Sequence, residues 1–375
     1  MATKQLILTT GKIHECEYIT VRREQLKKGQ IRLHIEKVAL SGNNLSYASS
    51  SRAYGDFFPV PTREGKRRCP AWGFGTVIES KRYGISNGQR FYGYLPLGSS
   101  ELVLEPTSIS TLGFADESIH RQGLFGDDTI FYNYYFNCST DAFMMSPTID
   151  EDFMLVLRVL YETGYLLDVF FEENDFWDAE QVIIASASSK TSLSLAHCLN
   201  LRGGFKIVGL TQNTKFCKEL GCYDQLLTYN NVDAMIDNNV KTIYVDMAGN
   251  PNVMYDVHAH FSKTKKLVYS CPVGRSHVTA VPNKQDVPMA GPAPQFYFVP
   301  THKTKCINDL GLETLQSNMA KNYDSFCAVM KPHMNMVYKK GSNEIISHYS
   351  NVAEHGNMDP MSGYILIDVN SGSKM

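Results

Sequence analysis

From Gln181 onward the chain carries a series of short, continuously apolar runs: 181–185, 205–210, 242–246 and 266–270. A run with no polar alternation suits a strand that is covered on both faces, as strands in parallel sheets are. Helix-like stretches separate the runs. Residues 191–201 read as a helix closed by Gly203-Gly204, and residues 214–220 as one ending at Gly221. Strands that alternate with helices must pair in parallel through crossovers, which gives a doubly wound α/β sheet. No other feature of the sequence restricts the fold as tightly.

The residues before this block have a different texture. Ile31-Arg32-Leu33-His34-Ile35-Glu36-Lys37-Val38 alternates apolar with polar, the period of a half-buried strand. Residues 76–80 and 90–94 are further short strands, with an Asn87-Gly88 turn signal between them. Residues 62–66 and 107–128 read as loops, and 152–171 has helical apolar spacing. After a strand-like 295–299 comes a helical stretch from about 301 to 330. The closing strand, 364–369, has no helix-linked partner in the central block and is expected to return to the β-rich part. The expected division is therefore 1–145 with 305–375 as one domain and 146–304 as the other.

Composition removes several classes of function. Lys plus Arg is 36 against Asp plus Glu at 38, a formal charge of -2. Such a chain has no general basic field for a phosphate backbone, so nucleic acid is not an expected partner. The most apolar stretch, 153–171, contains Arg158, Glu162 and Asp168, which are costly in a bilayer, so no membrane span is expected. Leu6-Ile7-Leu8 is too short an apolar block for a signal peptide. The 9 cysteines are an odd number without CxxC spacing, which suggests reduced thiols in the cytoplasm.

Some motifs are decoys. Ser188-Ser189-Lys190-Thr191, Asp246-Met247-Ala248-Gly249 and Asn283-Lys284-Gln285-Asp286 mimic the order of a nucleotide triphosphatase. A phosphate-binding P-loop needs glycines so that its backbone can wrap the phosphates, and Ile184 and Ser189 occupy both glycine positions. His258 and His260 are two apart and do not face one another on a helix, so they are not a metal pair.

The turn after the first buried strand is the stronger candidate. Ser186-Ala187-Ser188-Ser189-Lys190-Thr191 leads into a helix whose first N–H groups lack partners, a place that can hold a pyrophosphate. A usual dinucleotide turn has glycines here, and this one has none. Beyond the second strand, Thr211, Asn213 and Lys215 suit an adenosine 2'-phosphate, because no acidic residue follows until Glu219.

Together, 182–191, Val208-Gly209-Leu210-Thr211 and Lys218-Glu219-Leu220-Gly221 with Asp224 resemble the cofactor domain of medium-chain dehydrogenases/reductases, on the quinone-oxidoreductase and enoyl-reductase side. In the first part, Val38 to Asn44, Pro70 to Val77 and Asn87 to Gly93 are similar to that superfamily's GroES-like strands. The resemblance spans nearly the whole chain, and its narrower form is to an uncharacterised branch of unknown function. It implies a GroES-like β-rich domain beside a Rossmann domain, and an NADPH-dependent reductase of an activated C=C or C=O in a small or acyl substrate. It implies a homodimer, and it adds Asp246, Gly249, Val273 and Gly274 as cofactor contacts. It also implies Asn44 as an active-site residue, with Tyr47 and Tyr54 as candidate proton donors. Zinc alcohol dehydrogenases place metal ligands where this chain has Ser41, Trp72 and Gly73, so no metal is expected. The alternatives are a non-redox member of the fold, either a lyase or thioester-handling enzyme, or a ligand-binding scaffold without turnover.

Overall fold

The computed structural model describes residues 2–50, 57, 58, 60, 64–116, 130–145, 150–232, 236–274, 289–356 and 358–368. The chain forms two compact units. One holds Met1–Arg158, Thr304–Cys327 and Met334–Met375; the other holds Val159–Lys303 and Ala328–His333.

The first unit is built on antiparallel pairing. Strands β1 (Ala2–Thr9) and β2 (Lys12–Arg22) form a hairpin, and the short β4 (Lys66–Arg67) joins β1. A second, nine-stranded sheet is organised around β3 (Ile31–Leu40), β5 (Pro70–Ser80) and β6 (Arg90–Pro96). The 31–38 alternation thus lies in a strand, and helix α1 (Gly42–Ser49) follows it. β7 (Glu101–Leu104) also pairs with β3. β8 (Pro106–Ser110), β9 (Gly113–Asp116) and β10 (Tyr134–Asn137) complete the run.

The expected loop over 107–128 therefore contains a hairpin. Its Ser, Thr and Gly content hides the strand period, but Thr107 pairs with Ala115 and Ser110 with Gly113. Residues 117–129 lie outside the described residues.

The core of this unit is aromatic. Phe57 lies 4.6 Å from Tyr94 edge-on, and Tyr94 is 5.0 Å from Tyr132, centroid to centroid. Arg158 is wholly buried within the unit, against the rings of Tyr92, Phe136 and Phe143 at 4.3, 4.8 and 4.4 Å. Its guanidinium donates to Asp141 Oδ2 and, at 3.1 Å, to Gln316 Oε1.

Helix α2 (Glu151–Glu172) leads into the second unit, whose sheet is the doubly wound one. Its strands are β11 (Gln181–Ala185), β12 (Lys206–Leu210), β13 (Gln225–Leu227), β14 (Thr242–Asp246) and β15 (Leu267–Pro272). They lie in the order β13-β12-β11-β14-β15, every neighbouring pair parallel. β11 and β14 are buried along their full length, as the unbroken apolar runs require. Helices α3 (Lys190–Arg202), α4 (Thr214–Leu220) and α5 (Pro251–His260) supply crossovers. Gly203 (φ 75°) and Gly221 (φ 66°) end α3 and α4 in positive-φ conformations that suit glycine.

Residues 295–299 do not form a strand. Gln295 N and Tyr297 N donate to Ser270 O and Pro272 O, so the segment runs along the outer edge of β15. Pro292, Pro294 and Pro300 flank it and lack the N–H groups that a longer ladder needs.

The helical stretch expected from 301 is two helices, α6 (Val299–Leu310) and α7 (Leu312–Met330), broken at Gly311 with φ 80°. β16 (Asn335–Lys340), α8 (Gly341–His355) and β17 (Ser362–Ile367) close the described chain. β17 pairs antiparallel with β3, inside the first unit's sheet. Among the described residues, no helix is long and apolar enough to cross a membrane.

Candidate functional site

The parallel strands of the second unit end level with one another. Ala185 stands opposite both Leu210 and Asp246, and Asp246 stands opposite Pro272. β12 lies on one side of β11 and β14 on the other, so the chain leaves β11 at a topological switch point. Open α/β sheets bind ligands in the crevice outside such strand ends.

The turn after β11 has dinucleotide-turn features without glycine. Ser186 takes φ 56°, a left-handed conformation that normally favours glycine and costs about 1–2 kcal/mol for another residue. Ala187 is fully buried, and its N–H donates to Leu210 O at 3.0 Å. Ser189 N donates to Ser186 O at 2.8 Å, which closes the turn. Ser189 also caps α3, its Oγ accepting from Ser192 N at 3.1 Å. Lys190 and Thr191 then open the helix, where backbone N–H groups face outward.

The end of β12 braces this turn. Thr211 is buried; its Oγ1 donates to Ser188 Oγ at 3.2 Å and accepts from Asn213 N at 3.0 Å. Asn213 precedes α4, and Lys215 is exposed in that helix's first turn. On the far side of β11, Asp246 Oδ1 accepts from Ala248 N at 3.0 Å and Gly249 N at 2.8 Å. Its carbonyl accepts from Val273 N at 2.8 Å. A Cβ on Gly274 would lie 2.1 Å from Met247 O, so only glycine lets these two connections meet. The structure thus gathers 186–191, Thr211, Asn213, Asp246, Gly249, Val273 and Gly274 at one end of one sheet.

Two tyrosines in this cradle have no signal in the sequence that marks them. Tyr223 Oη donates to Ala187 O at 2.8 Å, and Tyr229 hydrogen-bonds both the side chain and the backbone of Ser186. Burial holds both phenols above their ordinary pKa, that of Tyr223 far above, so Tyr223 remains a neutral donor, while the Tyr229 oxygen accepts from Ser186. The one positional cue is that Tyr229 lies just beyond the carboxyl end of β13.

In the first unit, Asn44 is buried in α1. Its Oδ1 accepts from Ser41 N at 2.6 Å and Ser41 Oγ at 3.2 Å, and its Nδ2 donates to Pro70 O at 2.8 Å. Tyr47, one turn on, is buried edge-on to Tyr94 at 5.9 Å. Tyr54 lies outside the described residues, as does the Asn283 to Asp286 motif. Trp72 is buried and stacks on Tyr92 at 5.6 Å. A Cβ at Gly73 would lie 2.5 Å from Val38 Cγ1 and 2.6 Å from Lys37 O, so no ligand side chain fits there.

The histidines of α5 also have separate structural partners. His258 bridges Ala290 O at 2.6 Å and Ser270 Oγ at 2.8 Å, while His260 reaches Ile236 O at 2.9 Å.

Solved structures share this fold over almost the whole chain. A putative NADPH:quinone reductase from Bacillus thuringiensis has a TM-score of 0.62 at 11% identity, covering 98% of this chain and 99% of its own. The mitochondrial 2-enoyl thioester reductase Etr1p/Etr2p heterodimer from Candida tropicalis gives 0.62 at 10%, covering 98% and 100%. CurA from Vibrio vulnificus, solved in complex with NADPH, gives 0.58 at 12%, covering 97% and 99%. A GroES-like β-rich domain with a Rossmann domain is the fold of the medium-chain dehydrogenases/reductases, and this chain has it. Comparison with curated proteins finds no match. Residues 38–358 match the family model described as "Protein of unknown function (DUF2855)", and the chain belongs to that family.

Proposed function

We propose that the protein is an NADPH-dependent reductase of an activated C=C or C=O in a small or acyl substrate, working without zinc. The turn after β11 carries this reading: Ser186 takes a glycine-like conformation at the switch point of the sheet, directly before the N-terminus of α3. The cofactor fits what surrounds that turn. Small residues Ala187 and Ser188 allow close approach, Lys190 and Thr191 suit the pyrophosphate, and the segment from Thr211 to Lys215 carries no carboxylate to repel a 2'-phosphate. Asp246, Gly249, Val273 and Gly274, at the ends of β14 and β15, are assigned to the cofactor as well. When bound, the cofactor supplies hydride.

The protein's own part is orientation and a proton. Tyr47 and Tyr54 remain the candidates for the donor. Asn44 is assigned to holding α1, since its oxygen and one N–H are committed to Ser41 and Pro70. Zinc independence rests on the donor set: Ser41, Trp72 and Gly73 offer a hydroxyl engaged with Asn44, an indole and no side chain. A homodimer is also part of the reading, and Phe296, which is 50% exposed beside the outer edge of β15, supports it. A cytoplasmic setting is supported by cysteines that are all free.

One observation favours a non-redox scaffold or lyase instead: the hydroxyls of Ser188 and Ser189 bond within the protein, to Thr211 and Ser192. Titration with NADPH and NADH, followed by intrinsic fluorescence and thermal shift, separates the two. Saturable binding with NADPH preferred supports the reductase, and no binding of either supports the scaffold.

A further inference from the structure

We infer that Tyr223 is the residue that aims the glycine-free turn, fixing the peptide between Ala187 and Ser188 so that the Ser188 N–H faces the cofactor's diphosphate. This rests on the dinucleotide reading given above.

The inference begins with the two ends of Ala187. Its N–H is held by Leu210 O at 3.0 Å and its carbonyl by the Tyr223 hydroxyl at 2.8 Å. Both contacts come from the β12–β13 side, so Ala187 is pinned from within the protein. No peptide bond among the described residues is cis. In a planar trans peptide the C=O and the following N–H point in opposite directions. Drawing the Ala187 carbonyl inward therefore turns the Ser188 N–H outward.

The phenol can reach Ala187 only because of Gly209. A Cβ at that position would stand 2.9 Å from each of Ala187 Cβ, Tyr223 Cδ1 and Leu226 Cδ2. The glycine missing from the turn is thus matched by a glycine on the neighbouring strand that admits a tyrosine brace. Burial keeps that phenol protonated, so it stays a donor across the physiological range. Tyr223 is a positioning residue: it acts on the turn, and the turn meets the ligand.

The test uses the full chain and two probes, NADPH and adenosine 2'-monophosphate, which shares the 2'-phosphate but lacks the diphosphate. Tyr223→Phe removes the hydroxyl and keeps the ring. The expected result is a Kd for NADPH about tenfold higher, the loss of one positioned hydrogen bond. The Kd for adenosine 2'-monophosphate should stay within about twofold, the scatter allowed for an untouched subsite. An unchanged NADPH Kd in the variant overturns the inference, and so does an equal loss for both probes, which would mean general damage to the site. If wild type binds no NADPH, the cofactor reading and this inference fall together, a result distinct from those two.

A second measurement needs no variant. Hydrogen exchange on wild type should show the Ser188 amide protected by NADPH and not by adenosine 2'-monophosphate. Protection by both probes, or by neither, overturns the assignment.

Discussion

Lys303 Nζ donates to Glu162 Oε2 at 2.6 Å, and both side chains are almost completely withdrawn from water. The pair joins the start of α6 to the middle of α2 inside the second unit. Desolvating two charges offsets much of their attraction, so the pair matters chiefly because neither charge tolerates losing the other. Lys303→Met should therefore destabilise the unit by about 3–5 kcal/mol in urea unfolding. The double change Lys303→Met with Glu162→Leu should recover most of that loss. A double variant no more stable than the single one would contradict this account.

Arg158 makes a corresponding case in the first unit. Its planar fork serves Asp141 and Gln316 while its faces meet three aromatic rings. An ammonium keeps the charge but neither the fork nor the stacking. Arg158→Lys should cost about 2 kcal/mol and Arg158→Met about 3–5 kcal/mol, since the latter strands a buried carboxylate. Equilibrium unfolding checks the order; equal stability of the two variants would refute it.

Acid should weaken the second unit through its buried histidines. Burial lowers the pKa of His197 to about 4, and burial also lowers that of His258. An unfolded histidine titrates near 6.5, so below that pH the unfolded chain binds more protons than the folded one. The contribution of His197 is complete above about pH 6.5 and lost progressively toward pH 4, up to about 3 kcal/mol. Melting temperature measured across that window should fall, and His197→Gln should flatten the slope. A pH-independent melting temperature between 7 and about 4.5 would contradict the assignment.

Much of the second unit was legible in the sequence because its physical requirement is simple. Strands buried on both faces must be apolar throughout, and 181–185 and 242–246 show this residue by residue. Gln225–Leu227 is not legible in the same way, since three residues with a polar start carry no period. Asn335–Lys340 mixes apolar with basic residues and is held by its register against β17. The hydrogen-bonding role of Asn44 depends on Pro70, 26 residues away, which no local pattern reports. Tyr223 and Tyr229 are 2 of 21 tyrosines, and only the packing of β12 and β13 against the turn singles them out.

In the proposed cofactor site, the crevice at the ends of β11, β12 and β14 holds NADPH, with Lys215 at the 2'-phosphate and Lys190 at the pyrophosphate. The most direct measurement is a pair of titrations, NADPH and NADH, on wild type, Lys215→Ala and Lys190→Ala. A lysine–phosphate contact is charge-assisted and worth roughly 1.5–3 kcal/mol, or about one to two decades in Kd. Wild type should prefer NADPH; Lys215→Ala should lose that preference while NADH binding stays nearly unchanged; Lys190→Ala should weaken both. Equal binding of the two cofactors by wild type, or an equal loss of both in Lys215→Ala, would contradict the 2'-phosphate assignment, and binding of neither would contradict the reductase itself.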